Sequence, residues 1–396
     1  MIEAGAGGAG VGASASTSAS AVGDADAVRI VGVGAGPAGI MMLERMLANH
    51  ARDYPGLKLD IRLVDPYEPG GGRIWRRTQS PLLKLNTMLR DDSVFTDASC
   101  EIDGPISPGP SLSDWIAEVR AGRIARPDWW DDLLERELRE VTHESFPTRR
   151  LNSAYLGWAY REIIARAAPG VSVQWVQDRV IAVEEPLNRP GDQSTPYFVR
   201  LESGASLEAD LVLHTIGHNG SEPSPKSQEL ADFAERQGLS YVPPAFTADA
   251  DFDWVMPGVD VIVRGMGLAA VDLVVLLTEG RGGKFVPDGE KLRYLPSGRE
   301  PVLHIGSRRG VPYRSKVTTQ QLGDTTRLEY LGVAFHESVA ASQMSLDFDA
   351  DVWPLVAAEL LTGYYRELFT GHPELVRGEW GVFAREQRSH PYRPAR

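Results

Sequence analysis

Apolar residues come in short blocks along the first third of the chain, and the blocks change period. Residues 28–33 (VRIVGV) are a continuous apolar run of strand length, bounded by an acid-containing stretch before and glycines after. In 39–50, Ile40, Leu43, Met46 and Leu47 fall on one helical face. Residues 58–64 (KLDIRLV) alternate and end at Asp65, a second strand. Strand, helix and strand in that order open a doubly wound parallel sheet. Gly, Pro and Asp then dominate from Pro66, and a loop-rich region runs to about Pro127. The spacing predicts helices over 129–141 and 152–168, the second carrying Leu156, Tyr160, Ile163 and Ile164.

Strands follow at 171–176 and 180–184 and through 197–213, with a hairpin turning at Ser203-Gly204. Residues 210–217 (DLVLHTIG) read as an apolar strand ending at Gly217, and a polar linker leads to a helix that stops at Gly238. A second strand–glycine–helix unit comes next: strand 259–263, turn 265–267, helix 268–278. A Gly/Lys/Pro-rich excursion occupies 280–300 and a returning strand 301–305. Residues 351–370 look helical, and the chain ends in a basic, proline-containing tail.

At 396 residues and 42% hydrophobic, the chain suits two or three domains with real cores. A formal net charge of −13 argues against nucleic acid and anionic membranes as partners. Cys100 is the only cysteine, which excludes an internal disulfide, a Cys-rich zinc site and a CxxC redox pair; the eight histidines show no metal-ligand spacing, so no metal is expected. Residues 1–27 lack both the basic start and the apolar core of a signal peptide and read as a flexible tail. No stretch approaches the length of a transmembrane helix, so the expectation is a cytoplasmic protein.

Gly34-Ala35-Gly36-Pro37-Ala38-Gly39 fits G-x-G-x-x-G between a strand and a helix. Gly34 permits the tight turn, Gly36 lets backbone approach a pyrophosphate, and Gly39 lets helix and strand pack closely. The helix N-terminus offers free N–H groups to that anion. Asp65 is placed to accept hydrogen bonds from a ribose. It lies 31 residues after Gly34, which requires the intervening helix and turn to be longer than usual.

Around this motif the chain resembles a family of two-dinucleotide FAD/NAD(P)-binding flavoproteins, and within it the actinobacterial flavin-dependent amine N-oxygenases. The matching segments are GAGPAG at 34–39, VDP at 64–66, GGGRIW at 70–75, KLNT at 84–87, AYLGW at 154–158 and DLVLHTIGH at 210–218. RGMGLAAVDL at 264–273, LTEGRGGKF at 277–285 and SRRG at 307–310 complete the likeness, which covers about 28–330. It implies an α/β fold of two Rossmann-like dinucleotide-binding domains with helical insertions. FAD would occupy 28–217 and NAD(P) 218–330, leaving 331–396 as a C-terminal helical segment. Pro37 and Ala38 then favour FAD over NAD at the first turn. Gly72 would present backbone N–H groups and Arg73 would reach the phosphates. Gly217 would return to the flavin, and Val180 would contact adenine through its backbone. Asn86 and Thr87 would lie along the flavin; Asn86 either hydrogen-bonds the ring or nicotinamide, or caps its own loop. Members of the family run beyond residue 396, and nothing after Tyr330 looks like their return to the FAD domain. The chain is therefore either truncated or a compact variant.

In the second turn, Gly265-Met266-Gly267-Leu268-Ala269-Ala270, Ala replaces the third glycine, as in NADP-type sites. Arg308 and Arg309 after the returning strand stand where a 2′-phosphate would sit; the alternative is a surface turn with two solvated arginines. Lys284 is a weaker phosphate candidate, and Asp272 reads as a solvated or capping acid. With FAD and NADPH as cofactors, the resemblance implies a monooxygenase that acts on an amine or amino acid with oxygen, through a flavin hydroperoxide. Lys84 and Arg90 either supply the cation for a substrate carboxylate or are solvated loop charges. The alternatives are an electron-transferring NAD(P)H reductase and a flavin-binding protein without activity.

Overall fold

A computed structural model describes residues 26–185, 195–315, 321–342 and 345–389. The expected tail up to residue 25 and the C-terminal residues 390–396 lie outside these. Two compact units divide between Arg314 and Ser315.

The first unit is a mixed α/β structure on parallel strands. Strand β1 (Val28–Val33) leads through helix α1 (Pro37–Asp53) to strand β2 (Leu59–Val64). The two strands pair in parallel from Val28↔Leu59 to Val33↔Val64. Ile30, Val31, Ile61 and Leu63 are buried, so the apolar run is continuous because both faces of the sheet are covered. Pro37 suits the first helical position, where its missing N–H costs no intrahelical bond. Ile40, Leu43 and Leu47 on the inner face of α1 are buried, at about 1.5–3 kcal/mol for each side chain.

Three helices fill the interval before the next strand: α2 (Leu112–Arg120), α3 (Asp132–Glu140) and α4 (Arg149–Ala165). Helix α2 lies inside the stretch read from sequence as loop-rich. Ser111 and Asp114 close a capping box at its start, which satisfies two N–H groups at once. Strand β3 (Val171–Val176) pairs with the far side of β2. Strands β4 (Val180–Glu184), β5 (Tyr197–Leu201) and β6 (Ser206–Ala209) form a separate antiparallel sheet. Strand β7 (Leu211–His214) returns beside β1, giving a parallel sheet of order β3-β2-β1-β7. Helix α5 (Pro225–Gln237) stops at Gly238, whose φ of 63° is the left-handed cap that glycine adopts without strain.

Strand β8 (Asp260–Arg264), helix α6 (Leu268–Leu277) and strand β11 (Val302–Gly306) make the second strand–turn–helix–strand passage, β8 and β11 pairing in parallel. Between them the excursion at 280–300 contains an antiparallel hairpin of β9 (Lys284–Asp288) and β10 (Lys291–Leu295).

The second unit holds helices α7 (Val333–Ser342), α8 (Trp353–Gly371) and α9 (Trp380–Ser389), where the sequence pattern gave one helix. On α8 the buried Glu359 accepts from the N–H groups of Glu329, Tyr330 and Leu331 at 2.9, 2.8 and 3.0 Å, tying the preceding loop to the helix. Among the described residues no helix is long and apolar enough to cross a membrane.

Tyr155 sits at the middle of the core shared by α1, α2 and α4 and is fully buried. Its hydroxyl donates to the Pro110 carbonyl at 2.8 Å and accepts from the Val94 N–H at 3.2 Å, and burial pushes its pKa up to about 12. Tyr155→Phe keeps the ring and strands both backbone groups, so denaturant unfolding should register a loss of about 1–3 kcal/mol. A loss within experimental error would mean that those groups find other partners.

Candidate dinucleotide-binding site

The glycine turn after β1 separates two jobs. Gly34 has φ of +103°, and a Cβ there would lie 2.4 Å from the Thr215 carbonyl oxygen; on Gly39 it would lie 2.4 Å from the Gly34 carbonyl oxygen. Both positions are closed to side chains by backbone packing. Gly36 differs: its φ of −69° and ψ of −169° suit any residue, and the nearest atom to a Cβ would be Gly72 Cα at 3.8 Å. Gly36 is also the N-cap of α1, and no side chain caps the helix. Free N–H groups at a helix start, facing a cradle that a Cβ would fill, fit a pyrophosphate.

Several neighbours hold this turn. Asp65, 9% exposed, accepts from the N–H of Ala35 and of Tyr67, each at 2.8 Å. Burial raises its pKa, and the two N–H groups only partly offset that. Thr215, one residue past β7, donates through Oγ1 to the Gly34 carbonyl at 2.8 Å. No sequence signal pointed to Thr215; it is one polar residue at a strand end. From the third side, Gly70 N–H donates to the Ala35 carbonyl at 2.8 Å and Gly72 packs against Gly36. The GGGRIW loop therefore abuts the turn.

The remaining candidates stand further apart. Arg73 donates to the Asp249 carboxylate at 2.8 Å and stacks over Phe246, 4.4 Å from the ring centroid. Arg76 joins the same carboxylate. Burial pushes the Asp249 pKa up, but the two guanidiniums outweigh it and bring it below the ordinary range. Val180 begins β4 and packs on a small core with Val31 and Val64. Gly217 has φ of 60° and open space around it.

Lys84 and Asn86 are exposed, and Thr87 Oγ1 lies 3.5 Å from Asn86 Oδ1. Arg90 lies 3.6 Å from Asp91 and 3.7 Å from Glu144, with its Nη1 buried and without a hydrogen bond. This segment runs alongside 143–149, for example through Leu85 N–H to the Pro147 carbonyl at 2.8 Å. No hydrogen bond or ion pair among the described residues joins it to the glycine turn.

At the second turn Gly265 has φ of +126° and donates to the Gly306 carbonyl at 2.7 Å, so β8 and β11 end together. Gly267 caps α6 without a side-chain bond. Gly265, Gly267, Arg308 and Arg309 line one open cavity of about 1480 Å³, with Lys226 and Tyr313. Arg309 stacks over Tyr313 at 5.2 Å, and Arg308 is exposed. Lys226, at the start of α5, adds a cation that the sequence pattern did not single out. Asp272 is neither solvated nor a cap: its half-buried carboxylate pairs with Arg149.

Two strand–helix junctions, each turning on glycine and each leaving its helix uncapped, define a dinucleotide-binding protein. Residues 31–219 match the family model described as FAD-NAD(P)-binding, and this stretch of the chain belongs to that family. The chain is 39% identical over 352 residues to an L-aspartate N-monooxygenase (nitrosuccinate-forming) of Streptomyces davaonensis, covering 87% of this chain and 54% of that protein. It is 35% identical over 352 residues to the nitrosuccinic acid synthase npaA of Aspergillus oryzae, covering 86% and 50%. The chain spans about half the length of the curated relatives it matches. Among solved structures, an ornithine hydroxylase from Pseudomonas aeruginosa aligns over 92% of this chain and 71% of its own, at 14% identity and a TM-score of 0.40, too low to bear on the argument.

The dihedrals of Gly36 are nearly those of Ser111, which caps α2 at φ −61° and ψ 168°. Gly36→Ser should therefore leave unfolding free energy unchanged or raise it by a few tenths of a kcal/mol, roughly the advantage of Ser over Gly at an N-cap. Gly39→Ala, forced against a backbone oxygen, should lose about 1–3 kcal/mol. Equal losses from the two, measured by urea unfolding without cofactor, would contradict an open cradle at Gly36.

Proposed function

We propose that the chain is the dinucleotide-binding body of a cytoplasmic FAD- and NADPH-dependent monooxygenase that oxidises the amino group of a small amino acid. L-Aspartate is the first substrate to try. The observation that carries this reading is the 39% identity across 87% of the chain to an enzyme named for that reaction. The two glycine turns supply the physical half of it. The finer architecture belongs to the same proposal: two doubly wound dinucleotide-binding domains, 28–217 for FAD and 218–330 for NADPH, followed by a helical segment at 331–396.

FAD, when bound, supplies the redox chemistry and the activation of oxygen that no side chain provides. The residues of the chain bind and orient. Gly36 with the N–H groups of Ala38 and Gly39 holds the FAD pyrophosphate. Asp65 keeps lone pairs for a ribose beyond the two N–H groups it accepts. Gly72, Arg73, Thr87, Val180 and Gly217 line the rest of that cofactor, and Arg308 and Arg309 take the 2′-phosphate of NADPH. Arg309 is pre-ordered by its stacking on Tyr313, which lowers the entropy lost on binding.

Aspartate carries two carboxylates, and each needs a cation once water is excluded. Among the described residues Lys84 makes no ion pair, and the Arg90 Nη1 is a desolvated donor that makes no hydrogen bond and faces Glu144 at 3.7 Å. Asn86 orients the ring or the nicotinamide. The substrate amine would react only when unprotonated, so turnover should rise with pH through the neutral-to-alkaline range.

The test is to supply L-aspartate, NADPH and oxygen and to search for an N-oxygenated product by mass spectrometry. Oxidation of NADPH that releases only hydrogen peroxide across a broad panel of amines would overturn the reading. Arg308→Ala or Arg309→Ala should weaken NADPH by about 1.5–3 kcal/mol and leave NADH nearly unchanged. Equal losses for both cofactors would remove these arginines from the 2′-phosphate.

A further inference from the structure

The glycine turns lie on different strands, yet a short series of polar contacts joins them. Gly70 N–H bonds the Ala35 carbonyl of the first turn at 2.8 Å. Five residues on, Trp75 of the same loop lies under the Arg149 guanidinium, 5.6 Å from it to the ring centroid. Arg149 is the first residue of α4, and its Nη2 donates to the Asp272 carboxylate on α6, the helix that starts at Gly267. The two side chains are only 16% and 18% exposed. The Arg149 Nε is buried with no hydrogen bond, so its guanidinium relies on Asp272 for charge compensation. A parallel link runs beside it. Asp249 holds Arg73 and Arg76 of the same loop, and two residues earlier Thr247 Oγ1 lies 3.4 Å from the Ala269 carbonyl on α6.

We propose that the Arg149–Asp272 pair is a positioning device, coupling the helix of the second glycine turn to the loop that walls the first. It fixes the orientation in which a nicotinamide dinucleotide held at Gly265–Gly267 meets the other cofactor. Asp272 acts through Arg149 and Trp75 and touches neither ligand. Asp249 with Arg73 and Arg76 keeps the two parts docked when the pair is broken, so loss of the pair alters alignment rather than assembly. The proposal rests on the two-cofactor reading above.

Hydrogen exchange without any ligand tests the coupling by itself. Asp272→Asn should speed exchange of the amides at 70–77 by about fivefold or more, as well as those at 268–277, and Asp272→Glu should restore both. Faster exchange confined to 268–277 would overturn the coupling. With NADPH added, the wild type should be protected at both segments and Asp272→Asn only at the second turn. An Asp272→Asn protein still protected at 70–77 would also overturn it. If the wild type shows no protection at the second turn, the nicotinamide reading fails instead, and the ligand-free comparison still decides the pair. In FAD-loaded protein mixed anaerobically with NADPH, Asp272→Asn should slow flavin reduction at saturation about tenfold while NADPH affinity stays within about twofold. A matched loss of affinity and of rate, or no loss of rate, would reject positioning.

Discussion

Where β1 gives way to α1, backbone packs directly on backbone. The Thr215 carbonyl approaches Gly34 from β7, the Gly34 carbonyl approaches Gly39 from within the turn, and Gly72 meets Gly36 from the loop beyond β2. Three segments far apart in sequence can converge there because Gly34, Gly36, Gly39 and Gly72 carry no Cβ, which leaves space for the Thr215 backbone and hydroxyl beside them. That convergence sets the direction of α1, the end of the parallel sheet and the position of the GGGRIW loop. It leaves room for a side chain at Gly36, where a Cβ would meet nothing closer than Gly72 Cα at 3.8 Å, beside helix N–H groups that no side chain satisfies. The chain caps α2 with Ser111 and α3 with Asp131, whereas α1 has no side-chain cap and, in the proposed reading, keeps its donors for an anion.

Acidic side chains do much of the bracing in and between the segments that carry the two turns. Asp65 accepts two backbone N–H groups, Asp249 clamps two arginines, and Asp272 compensates Arg149. In a protein of net charge −13, part of the acid is therefore internal scaffolding rather than solvated surface. These carboxylates also occupy Arg73 and Arg149, so the cations at the second turn (Lys226, Arg264, Arg308 and Arg309) stand out for lining an open cavity.

Strand β1 was readable because burial on both faces gives an uninterrupted apolar run, β2 because its apolar residues alternate up to Asp65, and the turns because glycine at fixed spacing has few other uses. The hairpin of β9 and β10 was not, since KFVPD and KLRYL are charged and exposed and pair locally without an apolar face to betray them. Helix α2 hid among Gly and Pro residues, although Ser111 and Asp114 carried its start signal in plain order. Helix α7 lies in a stretch with almost no apolar periodicity, whereas α9 is amphipathic but only ten residues long. At the site, the glycines and Asp65 were legible from local spacing. Thr215 and the partners of Arg73 and Arg149 were not, because those contacts span more than a hundred residues and leave no local pattern.

In the proposed reading FAD binds with its pyrophosphate over Gly36 and the first turn of α1. Flavin content after reconstitution and gel filtration, compared between the wild type and Gly36→Ser, tests it most directly. One FAD per wild-type chain is expected, and a colourless variant whose unfolding midpoint is equal or higher. A variant that is as stable and retains as much flavin as the wild type would contradict it.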